Sequence, residues 1–259
     1  MSPISTAIAS PPDARQGRFA ARQPHMSAEA RAAALADRVA GKPAAEVLRD
    51  AIASTAPGRI ALVTSFGADS AVLLHIAASV DPALPVIFLD TGKLFGETLR
   101  YRDALVARLG LTDVRSIEPD AADLKAEDPD GILWASRPDR CCYVRKVLPL
   151  QRALEGVDTW ITGRKRFQGG ARSRLPLVES QDGRVKVNPL AHWSQDDIAA
   201  CFARHDLPEH PLKADGYLSI GCMPCTDRAS DPGDARSGRW AGQAKTECGI
   251  HLAMPAPAR

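Results

Sequence analysis

Cys141 and Cys142 stand side by side in "RPDRCCYVRK", and far downstream "GYLSIGCMPCT" places Cys222 and Cys225 in C-x-x-C spacing. Adjacent cysteines rarely bridge each other, because disulfide geometry strains the peptide unit between them. A C-x-x-C turn offers two thiolates to one metal centre but leaves a four-thiol site half filled. The adjacent pair completes it. Two neighbouring side chains suit different corners of an iron–sulfur cubane better than one small ion. The spacing therefore favours a [4Fe–4S] cluster on Cys141, Cys142, Cys222 and Cys225 over zinc. Two plainer readings stay open on the residues alone: a redox dithiol at Cys222 and Cys225, and packing thiols at Cys141 and Cys142. Cys201, on the apolar face of "DDIAACFARH", reads as core.

The sixth cysteine, Cys248 in "KTECGIH", stands alone near the carboxy end. A nucleophilic cysteine needs a lowered pKa, which nearby cations provide. Lys245 and His251 are close in sequence, and "ARSGRW" supplies Arg236 and Arg239. A second basic run, "TGRKRFQGGARSR", holds Arg164, Lys165, Arg166, Arg172 and Arg174 directly after an apolar strand. Arginine forks at such strand ends suit phosphate and sulfate oxygens. Lys146 follows Cys142 by four residues, one helical turn, within reach of both a cluster and an anion.

A loop able to read phosphate precedes all of these. Ser65-Phe66-Gly67-Ala68-Asp69-Ser70 follows a strand and opens a helix. Gly67 lets backbone approach a ligand, helix-start N–H groups and the dipole favour an anion there, and Ser65 and Ser70 add hydroxyls. The ordinary alternative is a turn capped by Ser or Asp. The loop resembles the S-G-G-x-D-S loop of the ATP pyrophosphatase superfamily, with Phe66 in place of the first glycine. Leu89 and Thr91, in the next strand's "LDTG", would meet an adenosine in such a fold.

These residues need elements to hold them. "RIALVTSF", "LPVIFLDT", "VRSIEP" and "DTWITGR" read as strands. "LPLVESQDGRVKVNPL" reads as two strands around an Asp182-Gly183 turn. Helical patterns alternate with them, one at "CYVRKVLPLQRALEG" with Pro149 interrupting it. The pattern predicts an α/β fold: a doubly wound, mostly parallel sheet flanked by helices, with ligands at the strand carboxyl ends. Residues 1–26 read as a disordered tail, 27–230 as a single nucleotide- and cluster-binding domain, and 231–259 as an exposed, flexible segment carrying Cys248.

The totals exclude some classes. At 259 residues the chain can bury a full core, and 45% hydrophobic with 25% charged residues is globular. A net charge of +2 is too small to imply general nucleic-acid or membrane binding. No apolar run approaches the ~18 residues of a membrane span. The N-terminus lacks an apolar h-region, so six cysteines without a secretory signal point to a cytoplasmic, reducing setting rather than a disulfide framework.

Taken together, "SFGADSAVLLH", "FLDTGKLFGET", "CCYVRKVLPL", "WITGRKRFQ", "VNPLAHWS", "GYLSIGCMPCT", "RSGRW" and "KTECGIH" resemble the adenylyl-sulfate and phosphoadenylyl-sulfate reductase family over roughly residues 45 to 251. The resemblance implies an adenine nucleotide alpha hydrolase-like, PP-loop-type fold. It implies adenosine 5'-phosphosulfate as substrate, because family members with both cysteine pairs are iron–sulfur enzymes that prefer it. The alternative substrate is the 3'-phosphorylated nucleotide, or both; a more distant alternative is a PP-loop tRNA-thiolation enzyme. It further implies Cys248 and His251 as catalytic, with Cys248 forming an S-sulfonate. Substrate would be bound by Ser65, Gly67, Asp69, Ser70, Leu89, Thr91, Lys146, Arg164, Arg166, Arg172, Arg236 and Arg239. Reduced thioredoxin, or a glutaredoxin-like dithiol, would release sulfite, and a homo-oligomer is expected.

Overall fold

The computed structural model describes residues 26–252 except Pro232 and Ala244. The tail expected over residues 1–26 therefore lies outside the described residues apart from Met26. Strands β1 (Ile60–Thr64), β2 (Val86–Leu89), β3 (Val114–Ile117), β4 (Thr159–Thr162), β5 (Val178–Gln181) and β6 (Arg184–Val187) form one sheet, in the order β3-β2-β1-β4-β6-β5. Every pairing is parallel except the β5–β6 hairpin. At the hairpin turn Asp182 and Gly183 both take positive φ, 51° and 73°, as a tight primed turn requires.

The helices are α1 (Ala28–Val39), α2 (Ala44–Ala53), α3 (Ser70–Val80), α4 (Gly96–Leu109), α5 (Ala121–Glu127), α6 (Leu133–Ser136), α7 (Pro138–Cys142), α8 (Leu148–Ala153) and α9 (Gln195–His205). Alternate strand residues point to opposite faces. Leu62, Val86, Phe88 and Ile161 join α1, α2, α3, α4 and α9 in the larger core. Ala61, Val63, Ile87, Leu89 and Trp160 face the other way and meet Leu150 and Leu154 beside α8. Both faces of the sheet thus carry helices, which is the doubly wound arrangement. Cys201 lies in the larger core, where burial pushes its thiol up.

The chain runs outward from β1 through β2 to β3, then returns to β4 on β1's other side. Ligands bind at such a reversal, outside the strand carboxyl ends. Two local features shape that end. Phe66 sits at φ 47°, a left-handed backbone that favours glycine, yet its ring is fully buried edge-on to Phe88 at 5.3 Å. Burial of the ring offsets the backbone cost. Pro149 interrupts the helix as its missing N–H predicts: Tyr143–Val147 widens to a π turn between α7 and α8.

The segment after residue 231 departs from expectation. Its lack of periodicity reads as an exposed tail, but Trp240, Glu247 and Cys248 are buried. Long-range pairing accounts for this. Asp227 N–H donates to the Gly238 carbonyl at 2.8 Å, Thr226 and Arg239 form a β-bridge, and Trp240 N–H donates to the Cys225 carbonyl at 3.2 Å. At Gly238 a side chain would collide with the Asp227 carbonyl oxygen. Gly238→Ala is therefore expected to cost about 2 kcal/mol and to lower Tm by about 5 °C; an unchanged calorimetric Tm would contradict this packing.

Candidate active site

A cavity of about 180 Å³ opens at the reversal between β1 and β4. Its floor is the strand ends and the loop into α3. Gly67 lies so close to the Ile220 carbonyl that an added Cβ would sit 3.0 Å from that oxygen. Asp69 makes no side-chain cap to α3; it accepts instead from the buried Lys165 ammonium at 2.9 Å, tying the two strand ends together. In the first turn of α3, Ser70 N–H donates to the Gly67 carbonyl at 3.0 Å and Val72 N–H to the Asp69 carbonyl at 3.3 Å; the positive end of the helix dipole still lies at the cavity and suits an anion.

The walls are strongly cationic. Lys146, Arg164, Lys165, Arg172, Arg236 and Arg239 line the cavity against two carboxylates, Asp69 and Glu247. Arg164 is partly neutralised by Glu179 and also reaches Asn188 Oδ1 at 3.3 Å. Burial, followed by the neighbouring Arg172, pushes Arg236 down to about 10. Burial likewise lowers Arg239. Lowered cation pKa values mean that positive charge is costly in the closed cavity, and an incoming anion relieves that cost.

Cys248 is presented into this cavity from the tail. Arg172 grips Glu247 through two hydrogen bonds of 2.6 and 2.8 Å, and Glu247 Oε1 accepts the Cys248 N–H at 2.8 Å. Arg236 donates to the Thr246 carbonyl at 2.9 Å. The Cys248 pKa is held well below the ordinary thiol range, first by a hydrogen bond from the Cys142 thiol, then by Lys146, the Ile250 N–H and Arg239, which together outweigh burial. Burial works against the Lys146 ammonium, but Cys222, Cys248 and Cys142 hold it protonated. His251 differs from its expected role as a cation. Burial and the positive charges of Lys186 and Arg164 keep its imidazole neutral, and it lies parallel to Trp160 at 6.2 Å.

The four paired cysteines gather beside this cavity. Cys141, Cys142, Cys222 and Cys225 are buried free thiols facing one smaller cavity, shared with Lys146, Arg145, Arg239 and Trp240. The C-x-x-C loop is stitched to the loop after β2: Met223 N–H donates to the Lys93 carbonyl at 2.7 Å, and Leu94 bridges Cys222. Burial pushes Cys141 up to about 11, with Cys222 adding to the rise. Behind the thiols, buried Arg145 pairs with Asp128 at 2.7 Å and donates to the Thr91 carbonyl at 2.8 Å.

Most sequence-predicted residues meet here. Ser65, Gly67, Asp69, Ser70, Leu89, Lys146, Arg164, Arg172, Arg236, Arg239, Cys248 and His251 all line the larger cavity. Two do not. Thr91 is fully buried with its hydroxyl 3.2 Å from Cys222 Sγ, so it serves the thiol quartet. Arg166 turns away, its Nε donating to the Leu175 carbonyl at 2.8 Å. The sequence reading passed over Glu247, Gln168 and Trp240. Glu247 was visible as an acid beside the candidate nucleophile, but its partner Arg172 is distant in sequence.

A parallel α/β sheet with an anion-reading turn at its switch point defines a PP-loop-type nucleotide-binding protein. Consistent with that class, residues 59–228 match the family described as phosphoadenosine phosphosulfate reductase domain. A protein of Mesorhizobium japonicum named adenosine 5'-phosphosulfate reductase is 59% identical over 193 residues, 74% of this chain and 76% of that protein. One of Deinococcus radiodurans with the same name is 46% identical over 190 residues, 72% of this chain and 74% of that protein. Among solved structures, the phosphate complex of phosphoadenylyl-sulfate reductase from Candida auris superposes with TM-score 0.65 at 26% identity, covering 76% of this chain and 96% of that one. Candida glabrata FMN adenylyltransferase with FMN and an ATP analogue shares the fold at TM-score 0.52 and 15% identity, covering 79% and 77%. The chain belongs to the phosphoadenosine phosphosulfate reductase family. Membership leaves no place for the tRNA-thiolation alternative.

Lys146→Met removes a cation that lowers the Cys248 pKa. The pH profile of Cys248 alkylation is therefore expected to move to higher pH, with slower labelling at pH 7; a profile that stays in place would show that Lys146 does not act on the thiol.

Proposed function

We propose that this chain reduces adenosine 5'-phosphosulfate to sulfite and AMP in assimilatory sulfate reduction, through a sulfonated Cys248. The observation that carries the reading is the placement of one thiol inside a cavity lined by six cations and two carboxylates, where Lys146 and Arg239 favour its thiolate. In the first step the Cys248 thiolate attacks the sulfate sulfur. A sulfur–sulfur bond forms, the sulfur–oxygen bond to the phosphate breaks, and AMP leaves with that electron pair. In the second, a thiolate of a reduced dithiol such as thioredoxin attacks Cys248 Sγ and sulfite departs with the bonding pair. The second thiol then closes a disulfide and restores the Cys248 thiolate. Sulfur is reduced by two electrons and the dithiol is oxidised by two.

The protein's contribution is electrostatic and positional. The Gly67 turn and the start of α3 hold the nucleotide's anion, while Lys146, Arg172, Arg236 and Arg239 neutralise the anhydride so that a thiolate can approach. Neutral His251 forms wall rather than counter-charge. The tail must close for the first step. It must open for the second, because Cys248 is only 9% exposed and a protein reductant cannot reach it there.

Cys141, Cys142, Cys222 and Cys225 suit a [4Fe–4S] cluster in donor chemistry: four buried thiols, none bridged, with Lys146 and two arginines beside them. Among the described residues no three His, Cys, Asp or Glu side chains converge tightly enough for a single ion; a cubane takes its ligands on a wider frame. When bound, it would add a fixed charge beside the sulfate site and brace the wall carrying Lys146. Protein purified without oxygen is expected to contain about four irons per chain; stoichiometric zinc instead would overturn the assignment.

Steady-state sulfite release with reduced thioredoxin tests the function. Adenosine 5'-phosphosulfate is expected to give the higher kcat/KM, and Cys248→Ser to abolish release. A higher kcat/KM for the 3'-phosphorylated nucleotide would reassign the substrate.

A further inference from the structure

Residues 250–252, just beyond Cys248, lie on a specific patch of the sheet. On the second face, α8 packs over β2 and β3. Over β4, β6 and β5 the same face presents Trp160, Lys186, Glu179 and Gln181. Register places them together: Trp160 pairs with Lys186 across β4–β6, Lys186 with Glu179 across β6–β5, and Gln181 lies two residues from Glu179. Lys186 is fully buried, an unusual position for lysine. Its ammonium lies 4.5 Å from the Trp160 ring centroid and donates to Gln181 Oε1 at 2.5 Å. That bond fixes the orientation of the Gln181 amide. Its NH₂ end, which also meets Asp182 Oδ2 at 3.1 Å, donates to the carbonyls of Ile250 at 3.4 Å and Leu252 at 3.1 Å. His251 lies parallel to Trp160, and Ile250 packs into the apolar cluster containing Trp160 and Leu150.

We propose that Trp160, Lys186 and Gln181 form a dock for residues 250–252 that sets the closed position of Cys248. The three are positioning residues. None lines the reaction cavity; they act through the backbone two to four residues beyond the nucleophile. Lys186 serves twice, as the cation over the indole and as the donor that makes Gln181 present its N–H groups to the tail. Glu247 fixes Cys248 from the other side through Arg172, so the nucleophile is held between two anchors. The dock touches the tail through the uncharged Gln181 amide, on main-chain carbonyls, and the Trp160 ring, on a neutral imidazole. It can therefore release the tail without separating an ion pair. The proposal rests on Cys248 acting inside the cavity, but its test does not depend on turnover.

Gln181→Glu separates docking from structure. A glutamate keeps the Lys186 bond and nearly the same shape, yet cannot donate to the Ile250 and Leu252 carbonyls. With anaerobically purified full-length protein, alkylation of Cys248 by iodoacetamide, mapped by peptide mass spectrometry, reports the population of the open tail. Losing two such bonds is expected to raise that rate at least about fivefold, with Cys201 labelling and the circular-dichroism melt unchanged. Trp160→Phe, which keeps an apolar ring but shrinks the stack, is expected to raise it in the same sense. Cys248 labelled at the parent rate in Gln181→Glu overturns the dock, and so does equal acceleration at Cys201, which means general loosening. Loss of sulfite formation in Cys248→Ser would be a separate matter: the dock can fail while Cys248 remains the nucleophile, and the converse.

Discussion

A thiolate and a phosphosulfate repel each other, and the proposed reaction requires this molecule to bring them together. Six cations line the cavity, and carboxylates answer part of that charge: Asp69 on Lys165, Glu247 on Arg172 and Arg236, and Glu179 on Arg164. Burial first, and then the neighbouring Arg172, lower the pKa of Arg236, so an anion brought among these cations relieves a cost. The parallel sheet makes the concentration possible. Strand ends at the β1–β4 reversal bring the Gly67 turn and Arg164 to one place, and the π turn before Pro149 adds Lys146 from the thiol-bearing helix. The tail supplies Arg236, Arg239 and Cys248 together. The proposed nucleophile and part of its counter-charge therefore arrive on the same segment.

Glu247 resolves a conflict within this design. A carboxylate in an anion site weakens anion binding, yet this one spans Arg172 with both oxygens and accepts the Cys248 N–H. Its negative charge is engaged by Arg172 and the Cys248 N–H, and Arg236, at 3.5 Å, shares it. Buried pairs of this kind contribute little net stability but penalise the loss of one partner strongly. That asymmetry holds the segment in one position.

Much of this was legible in the sequence, for physical reasons. Strands declare themselves through short apolar runs, and the Asp182-Gly183 hairpin through its turn chemistry. Spacing pointed to Cys141, Cys142, Cys222 and Cys225 as a group, and they do face one cavity, but spacing left their role open. What the sequence hid were directions. Arg164 and Arg166 sit two residues apart in one basic run, yet one faces the cavity and the other bonds the Leu175 carbonyl. Thr91 follows β2 where a nucleotide ligand was expected, but its hydroxyl lies 3.2 Å from Cys222 Sγ. The tail has no periodicity because its order comes from contacts with distant residues. Local pattern cannot report those contacts, and the segment consequently reads as exposed.

The central claim is that a single thiol takes the sulfonate. Anaerobically prepared enzyme mixed with adenosine 5'-phosphosulfate, without any dithiol, can be digested and mapped by mass spectrometry. The account predicts one sulfonated peptide, carrying the group on Cys248, which reduced thioredoxin discharges as sulfite. A sulfonate on any other cysteine, or sulfite formed with Cys248 unmodified throughout, would contradict it.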